Sequence, residues 1–173
     1  MNYVTIKYND IANGLGVRTS LFVAGCTHHC NGCFNEIAQD FNAGQLFDQN
    51  TITKILNSLK PDHIQGLTLL GGEPMEPQNQ IALCPFLRTV RATYPDKDIW
   101  IYSGYSYEEL LDPNSRCHTN ITRELLSYAD VLVDGEFIQD QYDINLIFKG
   151  SRNQRIIDLK TSLKNNNISL YQL

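Results

Sequence analysis

The chain has 173 residues, of which 42% are hydrophobic, and its formal net charge is −5 at pH 7. This length and apolar content suit one globular domain with a sizeable core, and the acidic balance argues against nucleic acid or an anionic membrane surface as the main partner. No apolar stretch resembles a signal peptide or is long enough to span a bilayer, so we expect a cytoplasmic protein whose five cysteines are reduced.

Four nearly continuous apolar runs predict the strands of a mostly parallel sheet, because strands covered on both faces show little polar alternation. In chain order they are SLFVAG (20–25), GLTLLGG (66–72), DIWIYSG (98–104) and DVLVDG (130–135). Between these runs apolar residues recur at helical spacing, and Ser106 with Glu109 matches the capping-box pattern of a helix start. The alternation of strand and helix predicts an α/β domain.

The two ends of the chain depart from that alternation. Residues 3–8 (YVTIKY) predict an extra edge strand, and residues 155–160 (RIIDLK) predict a last strand. We therefore expect four to six strands, too few for a closed eight-stranded barrel, so an open sheet or a partial β/α barrel is predicted.

Unusual residues follow each of the four predicted parallel strands. Three cysteines follow the first run, and GGEP (71–74), SGY (103–105) and DGEF (134–137) end the next three. Ligands of parallel sheets bind outside the carboxyl ends of the strands, so we expect these residues to meet at one mouth.

The motif CTHHCNGCF (26–34) gathers three cysteines at the spacing C-x3-C-x2-C. Two interpretations compete. A zinc site would need His28 or His29 as a fourth ligand, but common zinc layouts separate two ligand pairs by a longer arm, which is absent here. An iron–sulfur cluster held by only three cysteines would keep one iron open for a substrate or cofactor. The spacing favours the cluster, and both histidines are interpreted as solvent-facing or supporting residues.

Five segments carry a resemblance to a known family: residues 13–35, 71–74, 97–105, 131–137 and 148–159. Together they resemble the radical S-adenosylmethionine superfamily and, within it, the family of activating proteins of anaerobic ribonucleoside-triphosphate reductase. The resemblance implies a partial, open β/α barrel of the radical S-adenosylmethionine type in residues 1–159, followed by a polar C-terminal tail in residues 160–173.

The resemblance also implies a set of cofactor-binding residues. Cys26, Cys30 and Cys33 would hold a 4Fe-4S cluster whose fourth iron binds the amino and carboxylate groups of S-adenosylmethionine. Gly32 would let the backbone approach the cofactor, and the Phe34 ring would cover its adenine; a tight turn and core packing are the alternatives.

Residues at the neighbouring strand ends complete this predicted site. Backbone carbonyls at Gly71 and Gly72 would accept hydrogen bonds from the cofactor's ammonium group, with Glu73 supporting the loop. Ser103 and Asp134 would reach the methionine carboxylate, directly or through a cation, or else form loop hydrogen bonds.

Other polar and cysteine positions carry weaker expectations. Asn13, Gly14, Gly16 and Arg18 are expected to shape the approach to the cluster, with a structural ion pair as the alternative for Arg18. Cys84 is predicted to be buried and Cys117 partly exposed. The segment GSRNQR (150–155) is a predicted contact for a partner protein.

The implied activity is that of an oxidoreductase with no catalytic side chain. Reductive cleavage of S-adenosylmethionine at the cluster would give a 5′-deoxyadenosyl radical, which takes a hydrogen atom from a backbone glycine of the large reductase subunit. A flavodoxin-like protein is the expected electron donor. Within the same chemistry, the alternatives are activation of another glycyl-radical enzyme such as pyruvate formate-lyase, or modification of a small molecule. Outside it, they are a zinc-stabilised module without activity and a simple iron–sulfur electron carrier.

Overall fold

One seven-stranded sheet organises the chain, with the spatial strand order β3-β1-β2-β4-β5-β6-β7. The computed structural model describes residues 1–173. The strands are β1 (Asn2–Asp10), β2 (Val17–Val23), β3 (Gln45–Leu46), β4 (Ile64–Gly71), β5 (Asp98–Ser103), β6 (Val131–Asp134) and β7 (Arg155–Asp158). The helices are α1 (Gln49–Leu59), α2 (Pro77–Thr93), α3 (Tyr107–Leu111), α4 (Thr122–Tyr128) and α5 (Leu159–Asn165), with short 3-10 helices at Glu36–Gln39 and Gln139–Gln141.

The centre of the sheet is parallel and its edges are antiparallel. Strands β2, β4, β5 and β6 pair in parallel, whereas β1 pairs with β2 and β3, and β7 pairs with β6, in antiparallel fashion. The predicted α/β class, the open sheet and both extra end strands are therefore confirmed. The expected count of four to six strands is wrong, because β3 consists of two exposed residues that carry no apolar pattern.

The helices pack on one face of the sheet. Alternate strand residues such as Leu67, Leu69, Ile99 and Ile101 point to that face and join the main core with α1, α2 and α4. The residue between the last two, Trp100, points to the other face. None of the helices has the length and apolar character that crossing a bilayer requires.

The second face of the sheet has a smaller core and is covered by loops. Trp100 packs there with Val131, Val133 and Ile156. The rings of Phe148 and Tyr171 meet the Trp100 indole edge-on, with ring centroids 5.5 and 5.6 Å from it. Because no helix covers this face, a cavity remains between the sheet and the loops that end its strands.

Residues 160–173 pack against the sheet. Helix α5 contacts β6 and β7, and beyond it the Tyr171 N–H donates to the Ile156 carbonyl over 2.9 Å. Leu170 forms an antiparallel bridge with Ile157. The division between a domain of residues 1–159 and a tail of 160–173 stays a prediction.

Candidate metal centre and cofactor cavity

The cysteine loop lies at the carboxyl end of β2. Its start is held by main-chain hydrogen bonds from Gly25 N–H to the Ala38 carbonyl (2.7 Å) and from Cys26 N–H to the Gln39 carbonyl (3.1 Å). The Cys33 N–H donates back to the Cys30 carbonyl over 3.2 Å, closing a turn in which Gly32 has φ +71°. Glycine adopts this left-handed conformation at little cost, so Gly32 allows Cys30 and Cys33 to share one short loop.

A cavity of about 460 Å³ opens beside this loop. It runs from the cysteines across the loop-covered face of the sheet to Asn13 and Tyr102. Most of the residues predicted for the cofactor site line it: Cys26, Cys30, Cys33, Phe34, Gly71, Gly72 and Ser103. Gly32, which is exposed, and Asp134 do not line the cavity. The carboxyl ends of β2, β4 and β5 thus meet at one mouth, as the sequence predicts.

The three loop thiols are free and partly exposed, and the surroundings of Cys26 and Cys30 disfavour a thiolate in the protein alone. Burial raises the pKa of the Cys26 thiol to about 12, and the charge of Glu73 acts in the same direction. Burial likewise raises the pKa of Cys30 to about 11, reinforced by Glu136. A metal bound to sulfur supplies the missing positive charge and deprotonates its thiol ligands.

The donor set fits an iron–sulfur cluster. Three soft sulfur ligands select iron–sulfur clusters or zinc over harder ions. No group of three or more His, Cys, Asp or Glu side chains is arranged to chelate a single metal ion. In a 4Fe-4S cluster each cysteine binds a different iron, and three thiols that line one cavity suit such a cluster.

Glu73 connects the ends of two strands beneath the cysteine loop. Its side chain is 1% exposed and accepts hydrogen bonds from Met75 N–H (2.8 Å) and Gly104 N–H (2.7 Å). The His28 Nε2 atom lies 3.2 Å from the same carboxylate. This geometry is that of a residue supporting the loop.

The two histidines of the motif differ in their surroundings. The His28 side chain is 8% exposed and packs on the Tyr105 ring with centroids 4.3 Å apart. A solvent-facing His28 is therefore wrong, and it is instead a support between the cysteine loop and the end of β5. His29 is exposed, and its Nδ1 lies 2.9 Å from the Gln39 side chain.

Gly71 and Gly72 bring the end of β4 against the backbone at the end of β2. Gly71 has φ +111°, and a Cβ atom there would stand 2.7 Å from the Phe22 Cα. The Gly72 N–H donates to the Val23 carbonyl over 2.8 Å. Close backbone packing thus requires both glycines, and their contact with a cofactor stays a prediction.

Ser103 and Asp134 are neighbours in the sheet but differ in their access to the cavity. Ser103 lines the cavity, and its hydroxyl accepts a hydrogen bond from Tyr105 N–H over 3.1 Å. Asp134 does not line it: its carboxylate accepts hydrogen bonds from Tyr107 N–H (2.7 Å) and from the Arg155 guanidinium (2.5 Å). The loop-hydrogen-bond interpretation therefore accounts for Asp134.

Phe34 lies at the rim of the cavity, where its side chain is 72% exposed. Its ring meets those of Phe137 and Tyr142 at centroid distances of 5.0 and 5.8 Å. Core packing is thus the wrong alternative for this residue, and the predicted contact with an adenine stays open.

Arg18 lies at the other end of the sheet from the cysteines, at the start of β2. The side chain is fully buried, 2.6 Å from the Asp98 carboxylate, and donates to the Thr68 hydroxyl over 2.7 Å. The structural ion pair is therefore the correct interpretation, and a role at the approach to the cluster is wrong. Asn13, in contrast, lines the far end of the cavity.

The segment GSRNQR (150–155) folds onto the loop after β6. The Gln154 amide donates to the Gly135 carbonyl and accepts from Gly150 N–H, both over 2.8 Å. Asn153 donates to the Glu136 carbonyl over 2.9 Å. This segment therefore shapes one wall of the cavity, and its role as a partner contact stays a prediction.

Two polar residues at the start of α2 support the site but were not predicted from the sequence. The Glu76 carboxylate accepts hydrogen bonds from the Thr27 N–H (2.9 Å) and the Thr27 hydroxyl (2.6 Å). The Asn79 amide donates to the carbonyls of Ala24 (3.0 Å) and Glu73 (2.9 Å). Their position after GGEP, where α2 begins beside the carboxyl end of β4, is the signal that could have identified them.

The two cysteines outside the motif are both buried. Cys84 is 2% exposed, which confirms its prediction, whereas Cys117 is fully buried and its predicted partial exposure is wrong. The Cys117 sulfur lies 3.1 Å from the Ser115 hydroxyl and 3.5 Å from the Glu109 carbonyl. The turn that holds Cys117 folds back over α3, which its polar composition does not reveal.

Comparison with known proteins agrees with the chemistry of this site. A protein family described as the 4Fe-4S single cluster domain matches residues 12–157. A curated protein from Haemophilus influenzae is 47% identical over 158 residues, covering 90% of this chain and 97% of that protein. One from Escherichia coli K12 is 39% identical over 162 residues, covering 92% and 100%. Both are named anaerobic ribonucleoside-triphosphate reductase-activating protein.

A relative from a bacteriophage carries the same name. A protein of Enterobacteria phage T4 with that name is 38% identical over 156 residues, covering 90% of this chain and 93% of the phage protein. The matched family, over residues 12–157, includes the loops that line the cavity.

Proposed function

This chain belongs to the family of anaerobic ribonucleoside-triphosphate reductase-activating proteins, and from that premise we propose that it generates the glycyl radical of such a reductase. The substrate is a backbone glycine of the large reductase subunit. The observation that carries the proposal is the meeting of three free thiols with two neighbouring strand ends around one cavity.

Cys26, Cys30 and Cys33 hold a 4Fe-4S cluster in this proposal, and S-adenosylmethionine binds beside it in the cavity. When bound, the cluster supplies one electron that cleaves S-adenosylmethionine to methionine and a 5′-deoxyadenosyl radical, which removes a hydrogen atom from the substrate glycine. We assign the fold to a partial β/α barrel of the radical S-adenosylmethionine type, and the open sheet with helices on one face supports that assignment.

The protein's own residues bind and orient S-adenosylmethionine in this proposal. The Gly71 and Gly72 backbone accepts hydrogen bonds from the ammonium group of S-adenosylmethionine, and Ser103 donates one to its carboxylate. Gly32 lets the loop backbone approach the cofactor, and Phe34 at the cavity rim stacks on the adenine and keeps water from it. No side chain needs to act as a general acid or base, since the reaction moves a hydrogen atom to a carbon radical.

The partner enters from the rim of the cavity. The wall formed by GSRNQR (150–155) contacts the glycine-bearing loop of the reductase. A flavodoxin-like protein supplies the electron, and the reaction takes place in the cytoplasm, where thiols stay reduced. Residues 1–159 form the activating domain in this proposal, with residues 160–173 as its C-terminal extension.

Anaerobic reconstitution with iron and sulfide tests the proposal. We expect about four irons per chain, formation of 5′-deoxyadenosine when dithionite and S-adenosylmethionine are added, and a glycyl radical by electron paramagnetic resonance when the large reductase subunit is also present. Cys30→Ser should abolish all three, whereas Cys84→Ser should leave them intact. Zinc in place of iron would identify an inactive zinc module.

The same assay separates the remaining alternatives. A cluster that produces no 5′-deoxyadenosine would indicate a simple electron carrier. A radical formed on pyruvate formate-lyase but not on the ribonucleotide reductase would show that the lyase is the substrate of this chain.

A further inference from the structure

Thr27, the residue after Cys26, is held from two sides by charged groups. Its hydroxyl donates to the Glu76 carboxylate over 2.6 Å and accepts from Arg116 Nη1 over 2.8 Å. Its N–H also donates to Glu76, over 2.9 Å. Glu76 therefore fixes both the backbone and the side chain of the residue that follows the first thiol of the motif.

Glu76 is a buried carboxylate, unlike most acidic residues of the chain. It is 5% exposed, and Tyr105 OH approaches the same oxygen to 3.3 Å. Each of its hydrogen-bonding partners can donate to an oxygen, so the site is built for a carboxylate that only accepts. A charge in such surroundings is weakly screened and acts over several ångströms.

The charge of Glu76 lies beside the first cysteine of the motif. Glu76 accepts hydrogen bonds from both the N–H and the hydroxyl of Thr27, the residue that follows Cys26 in the chain. A negative charge held there opposes any added electron on a group bound to the Cys26 sulfur. Net charge and hydrogen bonding around the sulfurs are among the factors that set the reduction potential of an iron–sulfur cluster.

We propose that Glu76 is a potential-setting residue: its buried carboxylate, fastened to Thr27, lowers the reduction potential of the cluster held by the cysteine motif. This inference rests on the proposed function, because it needs the cluster. Its consequence is a more strongly reducing cluster, which favours transfer of the electron to the sulfonium of S-adenosylmethionine. Arg116, on the other side of Thr27, acts in the opposite direction, and less strongly because it is exposed.

The test is a redox titration of the anaerobically reconstituted protein with dithionite and mediator dyes, followed by electron paramagnetic resonance of the reduced cluster. Glu76→Gln keeps an oxygen that can accept from Thr27 but removes the charge. We expect the ratio of reduced to oxidised cluster at a fixed potential to rise roughly tenfold, equal to about 59 mV for one electron, at an unchanged iron content. Arg116→Gln should lower that ratio by a smaller factor.

Asp130→Asn is the matched control. Asp130 also accepts a main-chain hydrogen bond, from Ile99 N–H over 2.8 Å, but it precedes β6, at the amino end of the parallel strands, whereas the cysteines follow their carboxyl end. Its removal should leave the potential unchanged. If Glu76→Gln fails to keep a cluster, the Arg116→Gln variant tests the inference instead. Its cluster should have a lower reduction potential than that of the parent protein, and an unchanged or higher potential would contradict the inference.

Two outcomes would overturn the inference. One is a Glu76→Gln cluster that titrates at the potential of the parent protein, and the other is an equal shift in Asp130→Asn. A parent protein that assembles no 4Fe-4S cluster would instead defeat the proposed function, and this inference with it.

Discussion

Gly72 approaches Gly25 so closely that a Cβ atom on Gly72 would stand 2.6 Å from the Gly25 carbonyl oxygen. The same atom would stand 2.6 Å from the Ala38 carbonyl oxygen. Gly25 directly precedes the first cysteine of the motif, and Ala38 accepts the hydrogen bond that starts the cysteine loop. The end of β4 and the cysteine loop are therefore in direct backbone contact, with no side chain between them.

Replacing Gly72 by alanine should displace the cysteine loop, because both atoms that meet the new methyl group belong to the backbone. We expect an unfolding free energy lower by about 2 kcal/mol and an iron content well below that of the parent after anaerobic reconstitution. Urea denaturation and iron analysis measure the two effects.

Gly150→Ala is the control for this substitution. A Cβ atom at Gly150 would have the Phe137 ring as its nearest neighbour, 3.1 Å away, and a half-buried side chain can move more easily than backbone. Full iron content and parental stability in Gly72→Ala would show that the loop does not depend on this contact.

Arg18→Ala should destabilise the fold without altering the spectrum of any cluster that forms. The Arg18 side chain is fully buried, and its loss would leave the Asp98 carboxylate and the Thr68 hydroxyl without their partner. Breaking a buried pair in this way costs about 3 kcal/mol, which urea denaturation can measure.

Arg152→Ala provides the comparison for the buried pair. Arg152 pairs with Asp143 over 2.9 Å, but its side chain is 71% exposed. Its loss should change the unfolding free energy by less than about 1 kcal/mol. Equal effects of the two substitutions would contradict a structural role for the Arg18 pair.

The sequence predicts the strands and the mouth of the site better than the polar contacts beneath them. Apolar runs that end in glycine are a local signal, so β2, β4, β5 and β6 can be recognised one at a time. The partner of Arg18 is 80 residues away along the chain, and nothing local distinguishes a buried guanidinium from one that faces a cavity. Whether such a residue is buried in an ion pair depends on which strands become neighbours in the sheet.

Glu76 and Cys117 show the same limit at the site. Glu76 accepts a hydrogen bond from Thr27, which lies 49 residues earlier in the chain. From the sequence alone, a charged residue just before a helix is ordinarily expected to face solvent. Cys117 lies in a polar turn that would be exposed if it did not fold back onto α3. Motifs therefore predict the ligands of the centre, but its supporting contacts can be recognised only from the fold.

The pair between Glu108 and Arg155 should make stability depend on pH. The hydrogen bond from Arg155 lowers the pKa of Glu108 below its ordinary value of 4.5, so the folded state favours the carboxylate. Its contribution is present above pH 4.5 and is lost as the pH falls through the lowered pKa. Because the Glu108 side chain is 59% exposed, we expect only a few tenths of a kcal/mol.

Denaturation of the parent protein and Glu108→Gln at neutral pH and at about pH 3 measures this contribution. The variant should be slightly less stable at neutral pH, and the difference should vanish in acid. About 1 M salt should also remove it, because the Debye length is then only about 3 Å. A difference that persists in acid would mean that the charge of Glu108 is not its source.

Phe34→Ala should weaken the binding of S-adenosylmethionine while leaving the fold intact. The ring is 72% exposed at the cavity rim, so its removal should change the unfolding free energy by less than about 0.5 kcal/mol. A stack on the adenine contributes about 0.5–1.5 kcal/mol, which predicts a dissociation constant roughly 2- to 10-fold higher in equilibrium dialysis of the reconstituted protein. Ile81→Ala removes an apolar side chain that is 69% exposed on α2, and it should leave binding unchanged. Parental affinity in Phe34→Ala would exclude the ring from the adenine site.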